Sequence, residues 1–327
     1  MLQSSLPTDR STHSFDRFNE QLSDQSPDQS LTQSSEQSAN QSANQSANQS
    51  ADRSIKLLVL DLDGTTVGES NQIAPQVQQA IKAAQSQGVQ VAIATGRMFC
   101  SALRFHQAIS STLPLMAYQG AFIKDPLTDQ IHRHWTVPQS AAYQLLDYFE
   151  QPALSDRLSI HFYVNDQLYV RELTPESQMY GERTQVQPIA VGDLRQLLNG
   201  QIEPTKVLAL SEDPLVIDHL LTALRQKYTP AELYFTKSVA TFFEATHPQV
   251  NKGTAVQYLA ETLLGLQADN VMAIGDNFND LEMIQYAGVG VAMGNAPSDV
   301  QAQANWIAPD VENHGVAAAI EEFILRA

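Results

Sequence analysis

Cysteine is almost absent. Cys100 is the single example in 327 residues, so no internal disulfide can brace the fold, and this predicts a reducing, cytoplasmic setting. Basic residues are also scarce. Nineteen Lys and Arg against 36 Asp and Glu give a formal charge of −17, which repels phosphate backbones and anionic lipid and argues against nucleic acid or a membrane surface as partner. No apolar run approaches the ~20 residues that a membrane-spanning helix requires. No His or Cys spacing suits zinc.

The first 54 residues lack apolar periodicity altogether. A glutamine recurs every four residues from Gln21 to Gln49, ending in QSANQSANQSANQSA. Such a segment buries too little surface to offset its ordering entropy, and it is expected to be a disordered Gln/Ser-rich tail over 1–54. It has neither the apolar stretch of a secretory signal nor the arginine-rich, acid-poor composition of a transit peptide.

Beyond Ser54 the pattern changes. The apolar run Leu57–Leu60 ends in Asp61-Leu62-Asp63-Gly64-Thr65. Helical spacing from Pro75 to Ser86 has Pro at its start and Gly88 past its end. Val89 to Ala94 reads as a second strand running into Thr95-Gly96-Arg97, Met98 to Ile109 as a helix, and Leu115 to Ile123 as a third strand. After residue 250 the rhythm returns: a helix over Thr254–Leu264, a strand over Asn270–Ile274 ending in GDNFND, a short helix over Leu281–Tyr286, a strand over Val289–Met293, and a closing helix over Gly315–Leu325. This alternation predicts an α/β fold, a Rossmann-like, doubly wound parallel sheet. Residues 137–246 read otherwise. Alternating strands at Leu158–Val164, Gln167–Arg171, Lys206–Ser211, Leu233–Lys237 and Ala240–Ala245 surround helices at Gln139–Phe149 and Pro214–Lys227, which predicts an inserted α+β domain with one wet sheet face. The core is then 55–136 plus 247–327.

Ligands of open parallel sheets bind beyond the carboxyl ends of the strands. Three polar clusters follow three separate strands: Asp61/Asp63, Thr95-Gly96-Arg97 and Asp276/Asn279/Asp280. One Asp at a strand end is ordinarily a turn former or a helix cap, but three clusters should converge on one edge. Close carboxylates repel, and a hard divalent cation such as Mg²⁺ is the usual remedy.

DLDGT after an apolar strand, a strand ending in TGR, Asn251-Lys252-Gly253 opening a helix, and GDNFND together resemble, in that order, the four motifs of the haloacid dehalogenase (HAD) superfamily. The downstream VAMGNA and ENHGV resemble its Cof-type phosphatases, subfamily IIB, and the insert between TGR and Lys252 resembles their C2 cap. The resemblance spans about 55–327. It implies a phosphoric monoester hydrolase acting on small phosphorylated metabolites such as sugar phosphates, FMN or pyridoxal phosphate. By the same resemblance Asp61 is the nucleophile that forms an aspartyl-phosphate and Asp63 the acid and base. Mg²⁺ is held by Asp61, the Asp63 carbonyl and Asp276, with Asp280 behind them. Thr95, Gly96 and Asn279 meet the substrate phosphate, and Lys252 neutralises charge. Arg97 either contacts phosphate or forms a structural ion pair. Residues 134–138 and 245–250 are the expected hinges, and Cys100 is expected in the core. A sucrose-phosphate phosphatase or phosphomutase relative, and a non-catalytic phosphometabolite-binding protein, are the competing readings. The oligomeric state is left open.

Overall fold

The computed structural model describes residues 54–200 and 202–326, so the expectation of a disordered tail lies outside the described residues. In chain order the elements are β1 (Leu57–Leu60), α1 (Pro75–Ser86), β2 (Gln90–Ile93), α2 (Phe99–Ala108), β3 (Leu115–Ala117), β4 (Phe122–Lys124) and β5 (Ile131–His134). Next come α3 (Gln139–Phe149), β6 (Ser159–Val164), β7 (Gln167–Val170), α4 (Pro175–Thr184), β8 (Ile189–Ala190), β9 (Lys206–Leu210), α5 (Pro214–Lys227), β10 (Tyr234–Thr236) and β11 (Phe242–Thr246). The chain closes with α6 (Lys252–Gln257), β12 (Val271–Gly275), α7 (Leu281–Tyr286), β13 (Val289–Ala292), α8 (Ser298–Gln301), β14 (Trp306–Ile307) and α9 (Gly315–Ile320).

The expected parallel sheet is present, in the order β14-β13-β12-β1-β2 with every pair parallel. An isolated bridge between Ala94 and Met116 carries it on toward β3. Both faces are covered. Leu58, Leu60, Val91, Ile93, Met272 and Ile274 pack with residues of α1, α2 and α9. Leu57, Val59, Ala92 and Ala273, one register step away, pack with residues of α6 and α7 on the opposite face. Two buried faces explain why these strands read as unbroken apolar runs. From β1 the chain goes first to β2 on one side and, much later, to β12 on the other. The switch point of the winding therefore lies between the ends of β1 and β12, where such sheets bind ligands.

A six-stranded sheet, β10-β11-β9-β6-β7-β8, is built entirely from residues between 159 and 246. Its neighbours pair antiparallel except β7 with β8. Phe162, Val207, Ala209, Phe243 and Ala245 turn to α3 and α5, forming a separate apolar cluster. The opposite face was expected to be wet. It is not: His161, Lys206, Glu244 and Thr246 are all buried, because this face lies over the strand ends of the parallel sheet and Tyr163 and Leu208 join that sheet's own apolar cluster.

One more strand expectation needs correction, and one helix was not anticipated. Leu115–Ile123 is not one strand. The backbone turns left-handed at Tyr118, Gln119 and Gly120, so β3 and β4 form an antiparallel pair, extended by β5. Helix α4 was missed because its ten residues, PESQMYGERT, hold almost no apolar stripe. Its signal was the Thr174–Ser177 capping box with Pro175 at the first turn.

Candidate active site

Asp61 directly follows β1. Its N–H donates to Ile274 O of β12 at 3.0 Å, so the parallel ladder itself delivers its side chain to the switch point. The chain then turns at once, with Leu62 O accepting from the N–H groups of Thr65, Thr66 and Val67. Gly64 makes that turn possible at φ +81°, and a Cβ there would stand 2.3 Å from an Asp276 carboxylate oxygen. Only glycine allows so close an approach. The turn also separates the two aspartates of DLD, which an extended strand would hold on one side.

Asp276 follows β12, and its Oδ1 accepts from Thr65 Oγ1 at 3.0 Å. Asp280 faces it from the start of α7. Its Oδ2 accepts from the N–H groups of Asp276 at 2.9 Å and Asn277 at 3.0 Å, and its Oδ1 takes the Lys252 ammonium at 2.5 Å. Lys252 opens α6 and is fully buried; its Nζ also stands 2.5 Å from Asp61 Oδ1. An ammonium at a helix N-terminus is disfavoured by the helix dipole. Two carboxylates compensate here, and although burial works against the ammonium, Asp280 and Asp61 hold its pKa well above the ordinary lysine value.

Asp61, Asp276 and Asp280 each present an oxygen within 4.8 Å of the other two. Burial, together with the charge of the neighbouring carboxylates, raises the pKa of both Asp61 and Asp276 well above the usual carboxylate range. Fully ionised, the three buried carboxylates would outnumber the one ammonium by two charges, which is why their pKa values rise. A divalent cation fits that surplus, and oxygen-only donors suit a hard ion. Asp280 has both oxygens committed, to Lys252 and to two backbone N–H groups, so it is placed behind Asp61 and Asp276.

Asp63 turns toward Arg97. Arg97 Nε donates to Asp63 Oδ2 at 2.7 Å and Nη2 to Oδ1 at 2.6 Å, while Arg183 of α4 stands 3.6 Å away. Burial opposes ionisation, but the Arg97 guanidinium prevails and holds the Asp63 carboxyl below its usual pKa. Of the two roles expected for Arg97 the ion pair is present, and Arg97 Nη1 is buried without a partner.

Thr95 follows β2, and its Oγ1 accepts from Arg97 N at 3.2 Å. Asn279 Nδ2 donates to Gln119 Oε1 at 3.1 Å. Asp61, Asp63, Gly96, Arg97, Asp276 and Asn279 line one cavity of about 240 Å³; Thr95 and Lys252 are buried behind that lining. The far wall consists of residues that sequence reasoning did not find: Tyr180 and Arg183 from α4, Lys206 from β9, Val239, and Phe242 and Glu244 from β11. A signal for Lys206, Phe242 and Glu244 existed in the alternation of their strands, whose second face could have been read as a site wall. Cys100 is exposed rather than in the core. Its thiol nevertheless tucks against the Asp166 backbone, Sγ donating to Asp166 O at 3.6 Å, and this local desolvation together with the Asp166 carboxylate pushes its pKa up to about 12, which suits no nucleophile.

Strand ends carrying carboxylates around a buried lysine, under a second sheet, define a class of hydrolase. Residues 58–320 match the haloacid dehalogenase-like hydrolase family, and the chain belongs to it. Over 279 residues it is 31% identical to YxeH of Bacillus subtilis, covering 83% of this chain and 98% of that protein. It is 28% identical to the 5-amino-6-(5-phospho-D-ribitylamino)uracil phosphatase YitU of the same organism and 27% identical to the pyridoxal phosphate phosphatase YbhA of Escherichia coli. The matches cover 82% and 83% of this chain, and 97% and 99% of those proteins. A haloacid dehalogenase-like hydrolase from Bacteroides thetaiotaomicron superposes with a TM-score of 0.71 at 25% identity, over 82% of this chain and 99% of that one. The HAD subclass IIB sugar phosphatase BT4131 shares the fold, with a TM-score of 0.71 at 20% identity, over 82% of this chain and 98% of that one. Among the described residues no helix is long and apolar enough to cross a membrane.

Proposed function

We propose that this chain is a Mg²⁺-dependent phosphatase of small phosphorylated metabolites that works through an aspartyl-phosphate on Asp61. The observation that carries the reading is the Asp61 carboxylate itself: buried, at the switch point, on the cavity wall, with one oxygen held by Lys252. The family and the phosphatases named above support the hydrolysis of phosphate monoesters.

In this reading the free oxygen of Asp61 attacks phosphorus, the bond from phosphorus to the ester oxygen breaks, and the departing oxygen takes a proton from Asp63. Water then attacks the phosphoryl group, Asp63 accepts its proton, and phosphate leaves with Asp61 restored. The Arg97 pair holds Asp63 in its base form, which the second half requires, so proton delivery in the first half requires that pair to open. Lys252 fixes the orientation of Asp61 and offsets charge on the transferring group. Thr95, the Gly96 N–H and Asn279 surround the phosphoryl oxygens. Asp61, the Asp63 carbonyl and Asp276 would hold Mg²⁺, with Asp280 orienting what lies around it; when bound, the cation neutralises the dianion and the paired carboxylates.

Residues 137–246 act as a cap over a core of 55–136 and 247–327, with hinges at 134–138 and 245–250, where Trp135 and His247 stack at 5.3 Å. Cap residues beside the cavity then choose the leaving group, and closure excludes water. A cytoplasmic setting belongs to the same reading and accords with the single unpaired thiol.

The test is phosphate release from a panel of phosphorylated metabolites with Mg²⁺, followed by trapping with fluoroberyllate. Release that requires Mg²⁺, is abolished by Asp61→Asn, and an adduct on Asp61 are expected. An adduct on any other residue would overturn the nucleophile assignment, and transfer of phosphate between positions of one sugar without release would favour a phosphomutase.

A further inference from the structure

Tyr118, Gln119 and Gly120 take φ values of +53°, +61° and +92° in succession. Two adjacent non-glycine residues in this region are costly and persist only where their surroundings fix them. The surroundings here are the loop after β2: Tyr118 N–H donates to Arg97 O and Gln119 N–H to Thr95 O, both at 2.9 Å. Gln119 is buried, and its amide lies so close beneath Gly96 that a Cβ there would stand 2.5 Å from Nε2.

The two ends of the Gln119 amide reach different parts of the chain. Nε2 donates to Glu244 Oε2 of β11 at 3.1 Å, and Oε1 accepts from Asn279 Nδ2 at 3.1 Å. The order of these bonds is forced. Glu244 accepts from Ser238 Oγ and faces the Lys206 ammonium, so Gln119 turns its NH₂ toward it and its oxygen toward Asn279. Asn279 presents its own NH₂ on that side, with one hydrogen to Gln119, while its Oδ1 is buried without a partner and the residue itself lines the cavity. Glu244 is itself held by Ser238 Oγ and by Lys206 Nζ at 3.5 Å, and Lys206 Nζ also donates to Gly96 O at 3.0 Å.

We infer that Gln119 is a positioning residue that relays the placement of Glu244 to the Asn279 amide, so that the phosphate site is complete only while β11 is docked over it. The inference rests on the phosphatase reading and adds to it a residue in none of the four motifs. It also gives the left-handed turn a purpose: the turn brings one side chain between the two sheets and beneath the Thr95 loop at once.

The test measures binding of inorganic phosphate, the expected product, by calorimetry with Mg²⁺ present. Gln119→Met keeps the length of the side chain and removes both hydrogen bonds. It should weaken phosphate binding about tenfold. In an Asn279→Ala background the same change should cost nothing further, because the group it positions is gone. Equal losses in both backgrounds, or no loss in either, would overturn the relay. If Gln119→Met does not fold, Glu244→Ala supplies the same pair of comparisons from the other end. Turnover of an aryl phosphate by the unaltered protein is measured in parallel. Phosphate binding without turnover counts against the phosphatase reading alone, and an unaltered protein that binds no phosphate overturns both.

Discussion

Arg97 grips Asp63 through two parallel hydrogen bonds, Nε to Oδ2 at 2.7 Å and Nη2 to Oδ1 at 2.6 Å, so the second aspartate of the DLD motif faces away from the Lys252 cluster that holds the first. The separation gives two carboxylates only two residues apart opposite surroundings. Asp61 sits among like charges and one lysine, and burial raises its pKa. Asp63 sits against a guanidinium, which lowers its own.

The fork geometry makes a first prediction. Arg97→Lys keeps a positive charge but replaces two fixed donors with a single rotating point charge. We expect kcat/KM on an aryl phosphate to fall by about 10–100-fold, and Tm to fall with it, because the Arg97 side chain is buried and also donates to Asn71 Oδ1. Steady-state kinetics beside a melting curve check this; unaltered kcat/KM would show that the orientation of Asp63 is immaterial.

Asp276 makes a second. Without metal its carboxylate is repelled by Asp61 and Asp280, whereas with Mg²⁺ it should be a ligand. Asp276→Asn retains an acceptor for Thr65 and removes the charge. The metal-free protein should therefore become more stable, by roughly 3–6 °C in Tm, while the rise in Tm that Mg²⁺ gives the unaltered protein should vanish. Melting curves with chelator and with Mg²⁺ decide it, and an undiminished Mg²⁺ response would remove Asp276 from the metal site.

His161 makes a third, behind the Tyr180 and Lys206 wall of the cavity. It is fully buried on β6, its Nε2 3.1 Å from Ser159 Oγ and its ring edge-on to Tyr180. Burial, with Lys206 adding to it, pushes its pKa down to about 3. A depressed histidine stabilises the fold above its unfolded pKa of about 6.5 and loses that contribution as pH falls toward the folded value. Between about pH 6 and pH 4 the unfolded chain binds one more proton at this site, which tilts stability by about 1.4 kcal/mol per pH unit. His161→Phe should remove that tilt. Guanidinium unfolding at several pH values in this window measures it, and an unchanged slope would show that His161 titrates alike in both states.

Much of this fold is legible in the residues alone. The helices at 75–86, 139–149, 214–227 and 281–286 begin and end at the residues the sequence marks, because proline starts, apolar spacing and end signals are local. The polar clusters after β1, β2 and β12 are legible for the same reason: a strand buried on both faces reads as an apolar run, and its end shows where the run breaks. The single strand expected over 115–123 fails at Tyr118 and Gln119, whose left-handed backbone is imposed by bonds to Arg97 and Thr95. Helix α4 escaped because its stability comes from capping and docking rather than from an apolar stripe.

Spacing in the chain fixed which aspartates stand at strand ends, where the glycine of the first turn lies, and that one lysine opens a late helix. These are properties of consecutive residues, and short-range sterics enforce them. Which carboxylates Lys252 would join, and that Arg97 would take Asp63, were decided by the strand order that gathers these ends at one edge of the parallel sheet; that Glu244 would reach Asn279 through Gln119 was decided by the packing of the second sheet over that edge. Those partners are separated by 28 to 191 positions along the chain. Local propensity says nothing across such distances; burial does, because once two faces close on one another each enclosed charge or amide must find a partner within hydrogen-bond reach.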